Sequence, residues 1–375
     1  MEDATKKANS THCGDKNPNA TGDAMKAALK TLEGDFFISE VEMPALQKPD
    51  WVRARVHVAG ICGTDLRHWK EEDPHLECRI MGHELAGEVV SVGPEVTHVK
   101  PGDRVVIETV LGDDTCEWCR IQKYNLCPHL YDVRMETVSQ AFAQYVSGPA
   151  KKFYKLPDHV SFEEATLLDT FSVGLHAMQL SNLKVNDKVA IIGAGCIGLG
   201  QLQLAKIAGA DVIVFDIVDS SLALAKELGA DEIVNTDNED GYKKLQEFTN
   251  GRGADITFEC AGGSAMQKTL PQAVDYTRIG GKVIIVGGFD SGKTTTELEW
   301  QRIQMGEIQL LSSASYSYWN IYPEMQICLD LLSKGKLNAK KMITHNFPID
   351  QINEAFETAR DKENTHAVFV ALTIT

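Results

Sequence analysis

The feature that most constrains this chain is Gly193-Ala-Gly195-Cys196-Ile197-Gly198, which sits between two segments of different periodicity. Before it, Lys188-Val-Ala-Ile-Ile192 is a short apolar run, the pattern of a strand buried on both faces. After it, residues 198–208 place apolar side chains at helical spacing. Glycines between a strand and a helix permit a tight turn, let backbone approach a ligand and let helix and strand pack closely. The amides and dipole at the start of that helix favour an anion, so the turn suits the pyrophosphate of a dinucleotide. Contacts to it are expected at Gly193, Gly195, Cys196, Ile197 and Gly198, and at Val286 and Gly287, where a later strand ends. Asp216 ends the next strand, eighteen residues beyond Gly198, where a carboxylate would hold the adenosine ribose hydroxyls. The same charge repels a 2′-phosphate, and Ile217 beside it is no phosphate-binding base, so NAD is expected over NADP.

The alternation continues with strand 211–215, helix 220–228, strand 254–258, helix 264–276 and strand 281–286. Right-handed crossovers between such strands imply an α/β class with a parallel, doubly wound sheet. Residues 25 to about 160 read differently: short alternating runs such as Val52–Val58 and Pro101–Ile107, punctuated by Gly and Pro, predict a mostly β domain. Near 161 the texture turns helical, with Ser161 as cap and Glu163 and Glu164 in the first turn. Helices at 322–334 and 350–360 and strands at 346–347 and 366–370 are expected to return and complete the first domain. The divisions expected are 25–171, 172–313 and 314–375, preceded by a polar, disordered extension over residues 1–24.

Composition excludes whole classes of function. With 37 basic against 53 acidic residues the net charge is -16, which disfavours nucleic acid and anionic membranes as partners. Nine cysteines, an odd number in a long chain, argue against a secreted disulfide framework and for thiols that include metal ligands. No apolar run approaches the roughly 18 residues of a membrane span. Residues 1–24 lack the apolar core of a leader, so the cytoplasm is the expected location.

Two groups of residues carry metal-type spacing. Cys116-x-x-Cys119 with Cys127 supplies three thiolates on one loop, and Asp113 stands where a fourth donor is needed, with Asp114 as a rival. Cys62 in Cys62-Gly-Thr-Asp65 and His83 in Gly82-His-Glu84 lie beside glycines, in turns where side chains can converge. An open zinc site built on them would acidify a bound alcohol. Thr64 could hydrogen-bond the alcohol oxygen, and Asp65 could orient His83.

Together with Gly102-Asp-Arg-Val105, these motifs resemble the zinc-dependent medium-chain dehydrogenases, most closely the sorbitol and threonine dehydrogenase branch. The resemblance runs from Met25 to Thr375. It implies a GroES-like catalytic domain split around a Rossmann domain, NAD(P) chemistry, one catalytic and often one structural zinc, and a homo-oligomer, tetramer or dimer. It makes Cys62 and His83 catalytic zinc ligands, makes Glu84 the acid that either binds the zinc or exchanges with water, and sets Asp169 where relatives place a Glu before Pro, as a ligand or the holder of bound water. Asp169 is one methylene shorter, and Thr170 replaces the proline.

Other departures bear on substrate. Where several relatives carry a relay histidine this chain has Arg67, followed by His68. Ser317 replaces an arginine that sorbitol dehydrogenases keep beside the tyrosine, while Tyr318 and Asn320 are retained. Arg67, His68, Tyr318 and Asn320 are therefore candidate substrate residues, and Trp69, Tyr316, Tyr318 and Trp319 could line a pocket for a ring, although each aromatic taken singly fits the core or a subunit interface more readily. The function expected is a zinc-dependent, NAD-linked dehydrogenase with two zinc ions per subunit, oxidising a secondary alcohol of a polyol, sugar or cyclitol. The alternatives are oxidation of an amino alcohol, as in threonine 3-dehydrogenases, and a non-catalytic dinucleotide-binding redox sensor.

Overall fold

The computed structural model describes residues 23–130, 140–288 and 295–374, so the expected extension over 1–24 lies almost wholly outside the described residues. Six parallel strands form one sheet in the spatial order Glu232–Asn235, Asp211–Asp216, Lys188–Ile192, Ala254–Glu259, Thr277–Ile285 and Gln309–Ser312. The inner strands are buried almost throughout, which is why they read as unbroken apolar runs. The two edge strands, Glu232–Asn235 and Gln309–Ser312, were not expected from sequence. Each has four residues and mixes polar with apolar side chains, so it carries little of either period.

The strand order reverses beside Lys188–Ile192, and the helix Cys196–Ile207 starts there. Such a switch point leaves a crevice at the carboxyl ends of the strands. Gly193 has φ +100°, a conformation open to glycine. A Cβ on Gly198 would collide with the Gly193 carbonyl, so the third glycine is required by the packing of turn on helix.

A second sheet is mainly antiparallel. Its central strand Trp51–Gly60 pairs with Glu84–Val92, Tyr145–Pro149 and Phe369–Thr373, and Arg104–Ile107 and Phe153–Lys155 extend it. Phe369–Thr373 also pairs in parallel with Ile343–Pro348. The end of the chain therefore lies in the sheet built by its beginning.

Between the sheets run the short helix Phe162–Thr166 and the helix Leu168–Ser181. Ser161 caps the first through a reciprocal pair with Glu164, at 3.1 and 3.0 Å. Asn182, at φ 54°, ends the second in a left-handed cap. Leu168–Ser181 packs on Cys196–Ile207 through small residues: a Cβ on Gly200 would sit 3.4 Å from the Phe171 ring. This helix carries Asp169, buried, in its first turn. No helix among the described residues is long and apolar enough to cross a membrane.

Candidate active site

Cys62 precedes the helix Gly63–Trp69, and His83 and Glu84 stand at the start of the strand Glu84–Val92. Glu84 pairs in register with Gly60, two residues before Cys62, so strand pairing draws these turns together. One donor atom each from Cys62, His83 and Glu84 lies within 4.8 Å of the others. Asp65 organises the group: its Oδ2 accepts from the Cys62 amide at 3.0 Å, and its Oδ1 lies 3.5 Å from His83 Nδ1. His83 Nε2 is then the nitrogen left for the donor group. Thr109 adds a bond from its hydroxyl to the His83 carbonyl at 3.1 Å.

His83 and Glu84 are 6% and 2% exposed, so any charge here is costly without a counterion. Burial, with Cys62 and Asp169 nearby, holds the Glu84 carboxyl well above its usual range. Burial opposes ionisation of both Cys62 and His83, but their mutual attraction, with Asp65 acting on His83, lowers the thiol and raises the imidazole. Glu84 Oε2 is buried without a hydrogen-bond partner. A thiol, an imidazole and a carboxylate around an orphaned buried oxygen fit a borderline-soft divalent cation such as zinc.

Asp169 stands apart from that three-donor group. Its Oδ1 accepts from the Tyr316 hydroxyl at 2.6 Å, and Tyr316 is fully buried. Burial and the Asp169 charge hold the Tyr316 phenol well above its usual range. Thr170, at the proline position, donates to Glu84 Oε1 at 3.3 Å. The helix start thus contributes a carboxylate beside Glu84 and a hydroxyl on it.

The remaining candidates divide. Arg67 Nη2 donates to Thr64 Oγ1 at 2.9 Å, and its guanidinium packs against Gly288 of the Rossmann domain, 3.0 Å from where a Cβ would be. His68 instead pairs with Glu71 at 2.8 Å. Tyr318 forms a two-residue strand with its ring edge-on to Tyr124 at 6.0 Å. Asn320 is an exposed turn residue at φ 56°, so local backbone demand accounts for it. Of the aromatics, Trp69 and Tyr316 belong to the core, as expected of each taken singly: they are 1% and 0% exposed, and Trp69 packs on Phe356 at 5.3 Å.

At the glycine turn, Cys196 Sγ donates to the Val368 carbonyl at 2.7 Å, and burial pushes its thiol up to about 12. Ile197 is half-buried in the first turn of the helix. Asp216 Oδ2 accepts from Ala194 N at 2.5 Å, and its Oδ1 accepts from Ile217 and Val218 N at 2.7 and 2.9 Å. Its carboxylate is therefore fixed at the lip of the turn. Val286 and Gly287 both donate to the Glu259 carbonyl at 2.9 Å, which places them at the same crevice.

The cysteine lobe brings Asp113, Cys116, Cys119 and Cys127 within 4.8 Å. Asp113 Oδ1 accepts from Thr115 and Cys116 N at 2.8 and 2.9 Å, and these amides hold its carboxyl well below the usual range. Burial and the bond to Cys116 push the Cys119 thiol up to about 12. Between the rival oxygens the geometry selects Asp113, because Asp114 turns outward to Lys151 at 2.5 Å. Four donors with no open position make a closed, structural type of set.

Sequence reading missed the polar network behind these sites. Glu108, fully buried, accepts from Tyr124, Lys152 and Tyr154 at 2.5, 2.6 and 2.6 Å. A glutamate following the apolar run Val105-Val-Ile107 was the signal available.

A parallel dinucleotide fold joined to an antiparallel domain with a buried metal-donor set defines a class of metal-assisted dehydrogenases. Two family models match: the alcohol dehydrogenase GroES-like domain over residues 48–158 and the zinc-binding dehydrogenase domain over 196–334. The chain is 34% identical to sorbitol dehydrogenase of Gallus gallus, covering 92% of this chain and 95% of that one. It is also 34% identical to L-idonate 5-dehydrogenase of Vitis vinifera, with 88% and 89% covered. An Escherichia coli oxidoreductase of unknown specificity superposes with a TM-score of 0.84 at 33% identity, covering 94% of this chain and all of that one. An alcohol dehydrogenase of Escherichia coli CFT073 complexed with NADH gives 0.82 at 27% identity, with 94% and 100% covered. The protein belongs to the zinc-dependent medium-chain alcohol dehydrogenase family, in its sorbitol dehydrogenase branch, and is an oxidoreductase of alcohols.

Proposed function

We propose that this enzyme oxidises a secondary alcohol of a polyol, sugar or cyclitol to a ketone, reversibly, with one catalytic and one structural zinc per subunit and NAD as partner. The observation that carries the reading is the convergence of Cys62, His83 and Glu84, with Cys62 and Glu84 close enough to Cys196 of the glycine turn to act on its thiol. The relatives act on acyclic polyhydroxy compounds, by their names, which favours a polyol over an amino alcohol. Retention of a buried metal-donor set disfavours a pure dinucleotide sensor, which needs none.

Cys62, His83 and Glu84 would hold the catalytic zinc, with Asp169 beside them, and Asp113, Cys116, Cys119 and Cys127 would hold the structural one. When bound, the catalytic zinc supplies Lewis acidity at the alcohol oxygen and NAD accepts the hydride. Thr64 Oγ1 accepts from Arg67, which leaves its other lone pair and its proton for the substrate hydroxyl. Arg67 offers donors and no acceptor, so it fixes Thr64 but cannot end a proton relay. By packing on Gly288 it also holds Thr64 against the cofactor domain. Asp65 keeps the His83 ring oriented. Asp216 would meet the adenosine ribose.

The test is NAD reduction across a panel of polyols, cyclitols, sugars and amino alcohols. Turnover of a polyhydroxylated member at least about tenfold above L-threonine in kcat/KM, roughly 1.4 kcal/mol, supports the reading. Preference for L-threonine, or no turnover of any member, would refute it.

A further inference from the structure

The cysteine lobe reaches beyond its own donors. Two residues between Cys119 and Cys127 contact the segment 314–318. Asn125 Nδ2 donates to the Ala314 carbonyl at 2.9 Å, and the Tyr124 hydroxyl, bonded to Glu108, lies 3.3 Å from the Ser317 carbonyl. The second hydrogen of the Asn125 amide faces His176 Nε2 at 3.4 Å. His176 Nδ1 meets the buried Glu324 carboxylate at 3.0 Å, and Glu324 Oε2 accepts the Ser317 amide at 2.6 Å. The contacts close a ring from Asn125 through His176, Glu324 and Ser317 back to the lobe. Asn125 is 7% exposed and spends both amide hydrogens on this ring, while its Oδ1 has no partner. Within the clamped segment, Tyr316 sends its hydroxyl to Asp169, which stands beside Glu84. Lys152 fixes the far side, bonded to Glu108 and lying 3.6 Å over the Tyr124 ring.

We propose that Asn125 and Tyr124 are positioning residues through which the cysteine lobe holds the segment 314–318, and so sets Tyr316 against Asp169 at the active site. The lobe is then not only a local staple: through Tyr316 its order fixes the Asp169 carboxylate beside the metal-donor group. The inference rests on the reading of the active site above only for the role of Asp169.

Hydrogen exchange on the zinc-loaded protein tests it directly. In Asn125→Ala, amides of residues 313–325 should exchange about tenfold faster or more, with the strands Lys188–Ile192 and Asp211–Asp216 and the zinc content unchanged. With the most rapidly oxidised polyol of the panel, KM for the alcohol should rise about fivefold while KM for NAD stays put. The combined effect of Asn125→Ala and Tyr316→Phe on kcat/KM should fall short of the product of the two, as expected of groups acting through one element. Unchanged exchange over 313–325, acceleration spread evenly over both domains, loss of lobe zinc, or fully multiplicative effects would each overturn the proposal. Should Asn125→Ala fail to fold, Tyr124→Phe, which deletes only a hydroxyl, takes the same measurements with the same outcomes. The exchange result stands whether or not any polyol is oxidised.

Discussion

The two donor sets of this molecule are built in opposite ways. Asp113, Cys116, Cys119 and Cys127 come from one stretch of fifteen residues, and short-range turns bring them together: Asp113 takes the amides of Thr115 and Cys116. Cys62, His83 and Glu84 come from two segments about twenty residues apart, joined by the pairing of Gly60 with Glu84, and Asp169 approaches on a helix from the other side. The first set is complete within itself, which suits a structural ion. The second depends on the sheet, the helix and the segment 314–318 for its shape, and it keeps an unpartnered carboxylate oxygen. A site assembled from distant elements can be adjusted by any of them; a site made of one loop cannot.

The sharpest way to break this contrast is Cys62→Ala. It should cut kcat/KM about 10⁴-fold or more, some 5.5 kcal/mol of barrier, with little change in melting temperature. A variant that melts far lower yet keeps appreciable turnover would reverse the assignment of the two sets. Asp169→Asn comes next, with an expected loss of about 100-fold, since the amide keeps the shape and a hydrogen bond to Tyr316 but not the charge beside the metal group. Full activity would place Asp169 in the scaffold.

Cys119→Ala probes the other set: loss of its metal should lower the melting temperature by roughly 4 °C, on the order of 3 kcal/mol. Asp216→Ala should erode a preference for NAD over NADP of about tenfold, roughly 1.4 kcal/mol. Equal use of both cofactors by the unaltered protein would sink the role given to Asp216. The smallest effect is expected for Asp114→Ala. Asp114 pairs with Lys151 at the surface, so stability should move by about 0.5 kcal/mol or less and zinc content not at all.

How much could be read from sequence follows the same divide. The cysteine lobe was legible because its donors are close in the chain and few other structures need that spacing. The inner strands of the parallel sheet were legible because burial on both faces leaves an unbroken apolar run, whereas the edge strands Glu232–Asn235 and Gln309–Ser312 show no such run. The site around Cys62 and His83 was legible only through its joint occurrence with the glycine turn. What escaped were contacts between residues far apart: Tyr316 on Asp169, 147 positions away, and Asn125 on Ala314, 189 away. Glu108 and Lys152 escaped for a related reason, since charged residues are read as exposed unless a partner is in view. For Trp69 the sequence leaves a pocket wall open beside the favoured core role, and packing on Phe356 decides for the core.

Two donor sets that both hold zinc but do different work can be told apart by counting ions and turnover together. The most direct measurement is zinc per subunit, with alcohol-dependent NAD reduction, for the unaltered protein, Cys62→Ala and Cys119→Ala. About two, one and one zinc ions are expected, with turnover abolished in Cys62→Ala and partly kept in Cys119→Ala. One zinc in the unaltered protein, or turnover that survives loss of Cys62 and vanishes with Cys119, would contradict that division of work.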